Sequence, residues 1–551
     1  MNSASSTGIF RRTEPVIVGA VFLTAVAVWL NLPSTVIVFN DDFGYLRSIV
    51  ETLQHGRPWT DDWLEPWAAS LSVLSAGIFK VTGSFRLATY GLQALLAGGI
   101  VGLAAMLLHR RQVPVGLAVA WSLAGLTFPT MLWKVAEFGA VPLYVFCLLA
   151  AIKAAERGRW WCFTAAWLVA LASRQSALLW LALPAGLMLA NREAGWGRML
   201  GRLALIAVGG GLVYWAIGQG MNRTNAQAVM QPGILTQIEW SRGIGHVGLA
   251  LAVGAAAMGL AGFVLRVTTP PTTAGFRQVG GVITASLAIL VLWMSDVRQW
   301  VGMEHGMLQG MRGSGYLALI YGLALAGWWW GGFRVRMPYL LVLAAMAGLL
   351  ALRHAVWDYY LLDVAVLGFF SVSREAGEPA TRPGLRWVGW LALAGLFAFH
   401  QSFVVTTRHM LADNHGLVRL HEQALRAGRL APQELELAPF GYRGWNLYPH
   451  SIQHEGRGRY IADFEKYVGG PVLRLHVDNA REPAPALANG KLSAGETLLE
   501  SEILSRGWFQ SRRYNLIRTG ATGAASEWTL NGYTRPVFPL TDAEWRELIG
   551  K

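Results

Sequence analysis

Three polar interruptions in an otherwise apolar chain carry the residue types that chemistry needs. Asn40-Asp41-Asp42-Phe43-Gly44-Tyr45 follows the first long apolar run. Adjacent carboxylates at the edge of hydrocarbon repel each other and are partly desolvated, which suits one of them to act as a base or to take a cationic partner. The same acids also serve as N-caps for a helix through Leu53. Ser173-Arg174-Gln175 separates two very apolar stretches. An arginine there is costly unless it snorkels to the headgroups or meets an anion. Arg353-His354-Ala355-Val356-Trp357-Asp358-Tyr359-Tyr360 is the third break, joining a cation, aromatic faces and a carboxylate. An interfacial aromatic belt with one snorkelling arginine explains those residues equally well. Glu137, in Trp133-Lys134-Val135-Ala136-Glu137, stands at the expected start of a helix, where a carboxylate can bind a ligand or simply favour the helix N-terminus.

The elements that must hold these residues are membrane spans. Of 551 residues, 54% are hydrophobic and 14% charged, against about 25% charged in soluble domains. Apolar blocks of about 20 residues each suffice to cross a ~30 Å hydrocarbon layer. The formal charge of +13 is spread over short clusters between apolar runs, which argues against a nucleic-acid partner. Cys147 and Cys162 make neither a metal cluster nor a disulfide framework.

The expected spans are 16–36, 86–108, 113–130, 136–153, 160–174, 176–191, 200–218, 244–265, 280–297, 314–332, 337–352, 357–372 and 387–406, thirteen in all. Arg11 and Arg12 precede a first helix without a cleavage signature, so it is read as retained, with a cytoplasmic N-terminus. The inward connections then contain His109-Arg110-Arg111, Lys153 to Arg159, Arg192 to Arg202, Arg266 to Arg277, Arg334 to Arg336 and Arg374 to Arg386. All are basic, as the positive-inside rule requires. The loop carrying Asp41, Asp42, Glu51, Asp61, Asp62 and Glu65 belongs outside, as does the tail. Residues 1–406 are therefore expected to form the membrane domain, with its first extracytoplasmic loop at 37–85, and 407–551 a small extracytoplasmic α/β domain. In that tail, Pro471 to Val477 alternates like a strand and Thr541-Asp542-Ala543-Glu544 reads as a capping box. Short connections without a eukaryotic sorting signal place the chain in a bacterial inner (plasma) membrane, although Asn222-Arg223-Thr224 is a formal sequon.

Within the first outer loop, residues 43–55 read as an amphipathic helix and His55-Gly56-Arg57-Pro58-Trp59 as a turn. The apolar stretch 66–80 is short for a span and is expected to lie along the interface. The result is a lid of surface-parallel helices around an acidic site.

Asp41-Asp42-x-x-Tyr45, Gly56-x-x-Trp59, Pro66, the apolar segment to Phe79, Gly83 and Arg86 resemble the start of the GT-C superfamily of polyprenyl-phosphate-sugar-dependent glycosyltransferases. The protein O-mannosyltransferase and lipid A aminoarabinose transferase families are the most similar in this respect. The resemblance implies an all-α polytopic, GT-C-like fold of about 13 transmembrane helices with the small tail domain. By that resemblance Asp41 is the base or acceptor-positioning acid and Asp42 its neighbour, with Asp where those families commonly have Glu. Gly44 stands where Arg is frequent, and Glu65-Pro66 lacks the lysine of the aminoarabinose branch. Arg174 and Arg353 would bind the donor phosphate, and Tyr45, Glu137, Trp357, Asp358 and Tyr360 the acceptor or sugar.

An outward site has no access to water-soluble nucleotide sugars, so the implied donor is a sugar on polyprenyl phosphate. Its partners are the lipid bilayer and a glycan, lipid or protein acceptor. Asp41 would take the proton of an acceptor hydroxyl attacking the anomeric carbon, and a single displacement inverts configuration. Polyprenyl phosphate leaves as a stable anion, so cations matter more than a proton donor. No metal is required. Glu304-His305, after Asp296 and Arg298, offers a divalent cation only two adjacent ligands. Aromatic Phe440 to Tyr448 in the tail is suited to carbohydrate or to plain packing. The competing readings are a lipid or solute transporter or flippase, with both arginines lining a path, and an O-antigen-type ligase or polymerase using a diphosphate donor. A purely structural membrane protein is the remaining class.

Overall fold

The computed structural model describes residues 6–32, 42–60, 69–191, 196–220, 240–267, 315–330, 333–352, 358–374 and 386–401, with tail segments at 404–405, 407–408, 427, 435–437, 472–479, 497–506 and 511–519. The fold is largely α-helical. Helix α1 (Ser6–Asn31) packs along α4 (Leu92–Arg110), which continues from a π-turn at Leu87–Gly91. Two glycines set that contact. A Cβ on Gly98 would lie 2.6 Å from the Val21 carbonyl oxygen, and one on Gly102 would lie 2.5 Å from a Val21 methyl. Spaced four apart, they face the same side of α4 and let the two backbones approach closely.

The amphipathic segment of the first loop is helix α2 (Asp42–His55), with Leu46, Ile49 and Val50 buried on one face. Gly56 ends it with φ +63°, a left-handed conformation that only glycine adopts without strain. The chain doubles back so that His55 stacks on Trp59 at 4.8 Å and the Trp59 amide donates to Thr52 Oγ1. Helix α3 (Ala69–Thr82) follows and packs on α2.

The apolar run 113–130 is not one straight span. Its body is α5 (Val115–Leu126), and α6 (Pro129–Ala136) starts at its end and continues beyond it, bent by 70° from α5. Pro129 opens α6, where its missing N–H costs nothing but cannot continue the helix before it. Helix α7 (Ala140–Glu156) therefore begins four residues later than the run at 136 suggested. Helix α8 (Trp160–Leu171) stops short of Arg174, and a 3-10 turn at Gln175–Leu181 leads into α9 (Ala182–Asn191). Then come α10 (Trp196–Gly220), α11 (Trp240–Arg266), α12 (Gly315–Trp330) and α13 (Met337–Ala351). A 3-10 turn at Asp358–Tyr360 opens α14 (Leu361–Ser371), and α15 covers 386–401. Strand β1 (Phe333–Val335) pairs antiparallel with β2 (Val372–Arg374) and ties the start of α13 to the end of α14.

Among the described residues, Leu87–Arg110 and Gly243–Arg266 are long and apolar enough to cross a membrane, and the bent α5–α6 pair passes the same test. Other apolar helices are shorter. The core is apolar, yet large apolar residues also lie on the outside and several polar ones within. Phe22, Leu30, Trp161 and Trp215 are exposed, while Gln93, Glu137, Arg174, Asp363 and His400 are buried. That exterior suits lipid. Cys147 and Cys162 are free thiols.

One end of the bundle is tied by a charge knot on Glu156, the last residue of α7. Its Oε1 accepts from Arg111, Arg336 and the Tyr339 hydroxyl, each at 2.8 Å. Arg111 also donates to the Phe370 carbonyl at 2.6 Å and lies over that residue's ring. Four connections thus meet at one carboxylate. Nearby, burial and then the positive charges of Arg110 and Arg159 hold the Arg157 guanidinium below its usual range.

In the tail, β3 (Leu435–Leu437), β4 (Val472–Asn479), β5 (Thr497–Arg506) and β6 (Ser511–Thr519) form a sheet ordered β3-β4-β6-β5. β3 runs parallel to β4 and the other pairs are antiparallel. The alternation read from Pro471 to Val477 is strand β4. The expected span 280–297, Asp296, Arg298, Glu304, His305, Phe440 to Tyr448 and the capping box at Thr541 lie outside the described residues.

Candidate active site

At the end opposite Glu156, the breaks between helices bring charge and aromatic rings together. Arg174 follows α8 in extended conformation, with its side chain buried. The break is pinned by α3, whose Ser70 amide donates to the Ala172 carbonyl while its hydroxyl meets that of Ser173. Arg174 Cζ lies over three tyrosine rings, 5.3 Å from the centroid of Tyr144, 5.1 Å from Tyr359 and 4.7 Å from Tyr360. These come from the first turn of α7 and from the 3-10 turn before α14. A cation desolvated against ring faces gains about 2 kcal/mol from the ring quadrupole.

Tyr144 is itself held in place. Its hydroxyl donates to Asp363 Oδ2 at 2.8 Å and lies 2.7 Å from Ser176 Oγ. Asp363 is 3% exposed in the first turn of α14, where a carboxylate is favoured by the helix dipole. Its charge lies near Arg174 through Tyr144, so the aromatic cage has an anionic floor.

Glu137 occupies the elbow between α6 and α7 and is not a helix N-cap, a place taken by Gly139. It is 2% exposed and pairs with Lys134 at 2.6 Å, one turn earlier on α6. Lys134 Nζ in turn lies 4.5 Å from the Tyr359 centroid. The carboxylate is therefore part of an ion pair that touches the Arg174 cage. The adjoining residues carry the first loop: Phe138 meets Tyr45 edge-on at 6.4 Å, and a Cβ on Gly139 would come within 3.4 Å of the Tyr45 ring. Gln93 fixes the same point by donating to the Gly139 carbonyl at 3.0 Å. Since Tyr45 is in the first turn of α2, the helix that begins at Asp42 is anchored beside the elbow.

Four expected site residues, Tyr45, Glu137, Arg174 and Tyr360, are thus joined through one set of contacts. Asp42 opens α2 and Asp358 opens the 3-10 turn, so both backbones start elements that reach this set. Asp41, Arg353 and Trp357 lie outside the described residues. Sequence reasoning missed Lys134, Tyr144, Ser176, Tyr359 and Asp363. Among the described residues no three His, Cys, Asp or Glu side chains group as metal ligands.

The chain is similar in structure to ArnT. The crystal structure of ArnT from Cupriavidus metallidurans bound to undecaprenyl phosphate matches with a TM-score of 0.40 and 13% identity, over 94% of this chain and 99% of that one. The apo state of the same protein gives 0.36 and 16%, over 93% and 98%. No family model matches, and neither does any curated protein. Overlap at this level says nothing about chemistry, which is carried by the residues themselves.

Proposed function

We propose that this chain is a membrane glycosyltransferase that moves a sugar from a polyprenyl-phosphate donor to a hydroxyl of a lipid, glycan or protein acceptor, with inversion. The observation that carries the reading is the buried Arg174 in its tyrosine cage, joined through Tyr359 and Lys134 to Glu137 and through Phe138 to the first-loop helix. An arginine brought into an apolar bundle and surrounded by ring faces is suited to a phosphate whose lipid tail stays in the bilayer. Aromatic faces beside it are suited to the sugar.

In this scheme Asp41 removes the acceptor proton as the hydroxyl attacks the anomeric carbon, and Asp42 orients the acceptor or Asp41. The bond from that carbon to the phosphate oxygen breaks, and its electron pair leaves on polyprenyl phosphate beside Arg174 and Arg353. Tyr45, Glu137, Trp357, Asp358 and Tyr360 line the sugar and acceptor side. The reaction needs no metal. Thirteen spans from a cytoplasmic N-terminus put the acids and the tail, 407–551, on the outer face of a bacterial inner membrane. The end of the bundle at Glu156 and Arg157 then faces the cytoplasm, in keeping with its basic surroundings.

The test is transfer by the purified full chain in nanodiscs, given a truncated polyprenyl-phosphate sugar and a crude envelope lipid and glycan extract as acceptor. Mass spectrometry should show one new glycosidic bond per polyprenyl phosphate released, with inverted anomeric configuration. Movement of the lipid across liposomes without bond formation would replace this reading by a flippase.

A further inference from the structure

We infer that Lys134 is a further cation for the donor phosphate beside Arg174 and that Glu137 is its counter-ion before a donor binds. The inference rests on the transferase reading and adds a binding residue to it. Lys134 and Glu137 are nine-tenths or more buried; Lys134 lies in the short helix α6 and Glu137 just after it, at the elbow before α7. Helix α6 is bent 70° from α5, and Lys134 on it reaches the same Tyr359 ring that Arg174 covers. The two cations are no farther apart than the sum of 4.5 Å and 5.1 Å, their distances from that ring's centre.

An isolated positive charge at Lys134 would be costly when no ligand is bound, because a buried ion without its partner loses several kcal/mol of solvation. Glu137, paired at 2.6 Å, offsets that cost. When a phosphate enters beside Arg174, the lysine can exchange the carboxylate for the phosphate oxygens. Its four-carbon stem and freely rotating ammonium allow such a swing, which the planar guanidinium of Arg174 does not need. The exchange leaves Glu137 a carboxylate without its lysine, next to Tyr45 and the first-loop helix. There it can accept a hydrogen bond from an acceptor hydroxyl once the donor is present. Donor binding and acceptor binding are thereby coupled through one lysine.

A strut and a counter-ion predict different signs. If Glu137 competes with phosphate for Lys134, then Glu137→Gln removes a rival anion, so phosphate should bind more tightly. If the pair only braces the elbow, loss of either partner should weaken binding alike. The experiment measures equilibrium binding of a truncated, sugar-free polyprenyl phosphate to the full chain in nanodiscs. The matching polyprenol, and inorganic phosphate as competitor, separate the lipid phosphate from tail recognition and from free phosphate. Lys134→Met should weaken binding about tenfold or more, the size of one lost charge-assisted hydrogen bond. Lys134→Arg should recover part of it, and Glu137→Gln should bind at least as tightly as the wild type.

Unchanged binding in Lys134→Met overturns the inference, and so does equal weakening in Lys134→Met, Glu137→Gln and the double variant. A folded Lys134→Arg protein with wild-type melting behaviour keeps the test decisive if Lys134→Met does not fold. A wild type that binds polyprenol as well as polyprenyl phosphate would instead bring down the donor reading beneath it. That failure is visible before any variant is made.

Discussion

The bundle buries charge at both ends, and it does so in two different ways. At the Glu156 end a single carboxylate oxygen takes three donors, two guanidinium groups and a phenol, and Arg111 adds a backbone carbonyl from α14. Opposite charges are matched at hydrogen-bond distance, and the partners come from connections that need tying together. At the Arg174 end the cation is set among ring faces, and among the described residues Asp363 bonds to Tyr144 and Glu137 to Lys134, each in contact with that cage. The first arrangement spends its electrostatics on geometry. The second sets a buried cation among aromatic faces, which under the proposed reaction suits an anionic ligand.

The comparison can be broken, beginning with the largest effect. Asp41→Asn retains size and much hydrogen bonding but loses the base, so turnover should fall by roughly 10²- to 10⁴-fold with folded yield and donor affinity intact. Asp42→Asn should be milder, and kinetics of both variants in one nanodisc preparation decide between them. If both turn over normally, the acidic pair is not the chemical centre. Next is the opposite end. Glu156→Ala strands the buried Arg111 and releases the partly exposed Arg336, and breaking a buried pair such as Arg111–Glu156 costs about 3–5 kcal/mol. The expected outcome is a lower melting temperature and poor yield, with near-normal donor affinity per folded molecule. A stable Glu156→Ala protein that had lost only donor binding would erase the distinction between the two ends.

Arg174→Ala should do the reverse, raising the donor concentration needed for half-saturation by roughly 10- to 100-fold while melting stays close to wild type. Lysine there should restore only part, for want of the planar fork. The smallest effect belongs to Asp363→Asn, which weakens the hydrogen bond that sets Tyr144. A roughly two- to tenfold rise in donor KM with little change in kcat is expected. A fall in kcat at constant KM would mean that Asp363 serves the chemical step instead of the cage.

Much of this was legible along the chain, for identifiable reasons. Arg174 stands out because an arginine between apolar runs demands an explanation, and Glu137 because it is an acid beside a span. The lid helix follows from the amphipathic spacing after Asp42, and β4 from strict alternation. Glu137's partner was harder to see. Lys134 lies three residues away, but the bend that turns α6 out of line with α5 falls in a stretch that stays mostly apolar from Leu126 to Leu132. Pro129 was the one local sign of it. Asp363 could have been found, since a lone acid inside Leu361 to Ser371 obeys the same rule as Arg174. Tyr144, Ser176 and Tyr359 carry no such mark. Their roles exist only in the packing of α7 against the 3-10 turn and α14. The knot on Glu156 read as part of a basic loop because composition registers the sign of a connection and not which groups bond within it.

The glycine seam between α1 and α4 acts as a gauge block. With Gly98 and Gly102 in place, α1 lies where an added methyl on either residue would collide with Val21. The first loop follows α1 in the chain, while the cage is built on α7 and α14, so under the proposed mechanism the seam would set one side of the gap across which base and donor meet. Reactions between held groups are sensitive to that gap, and a shift of about 1 Å can cost a hundredfold in rate. Two hydrogen atoms standing in for side chains, well away from any carboxylate, therefore serve as the calibration of the whole machine.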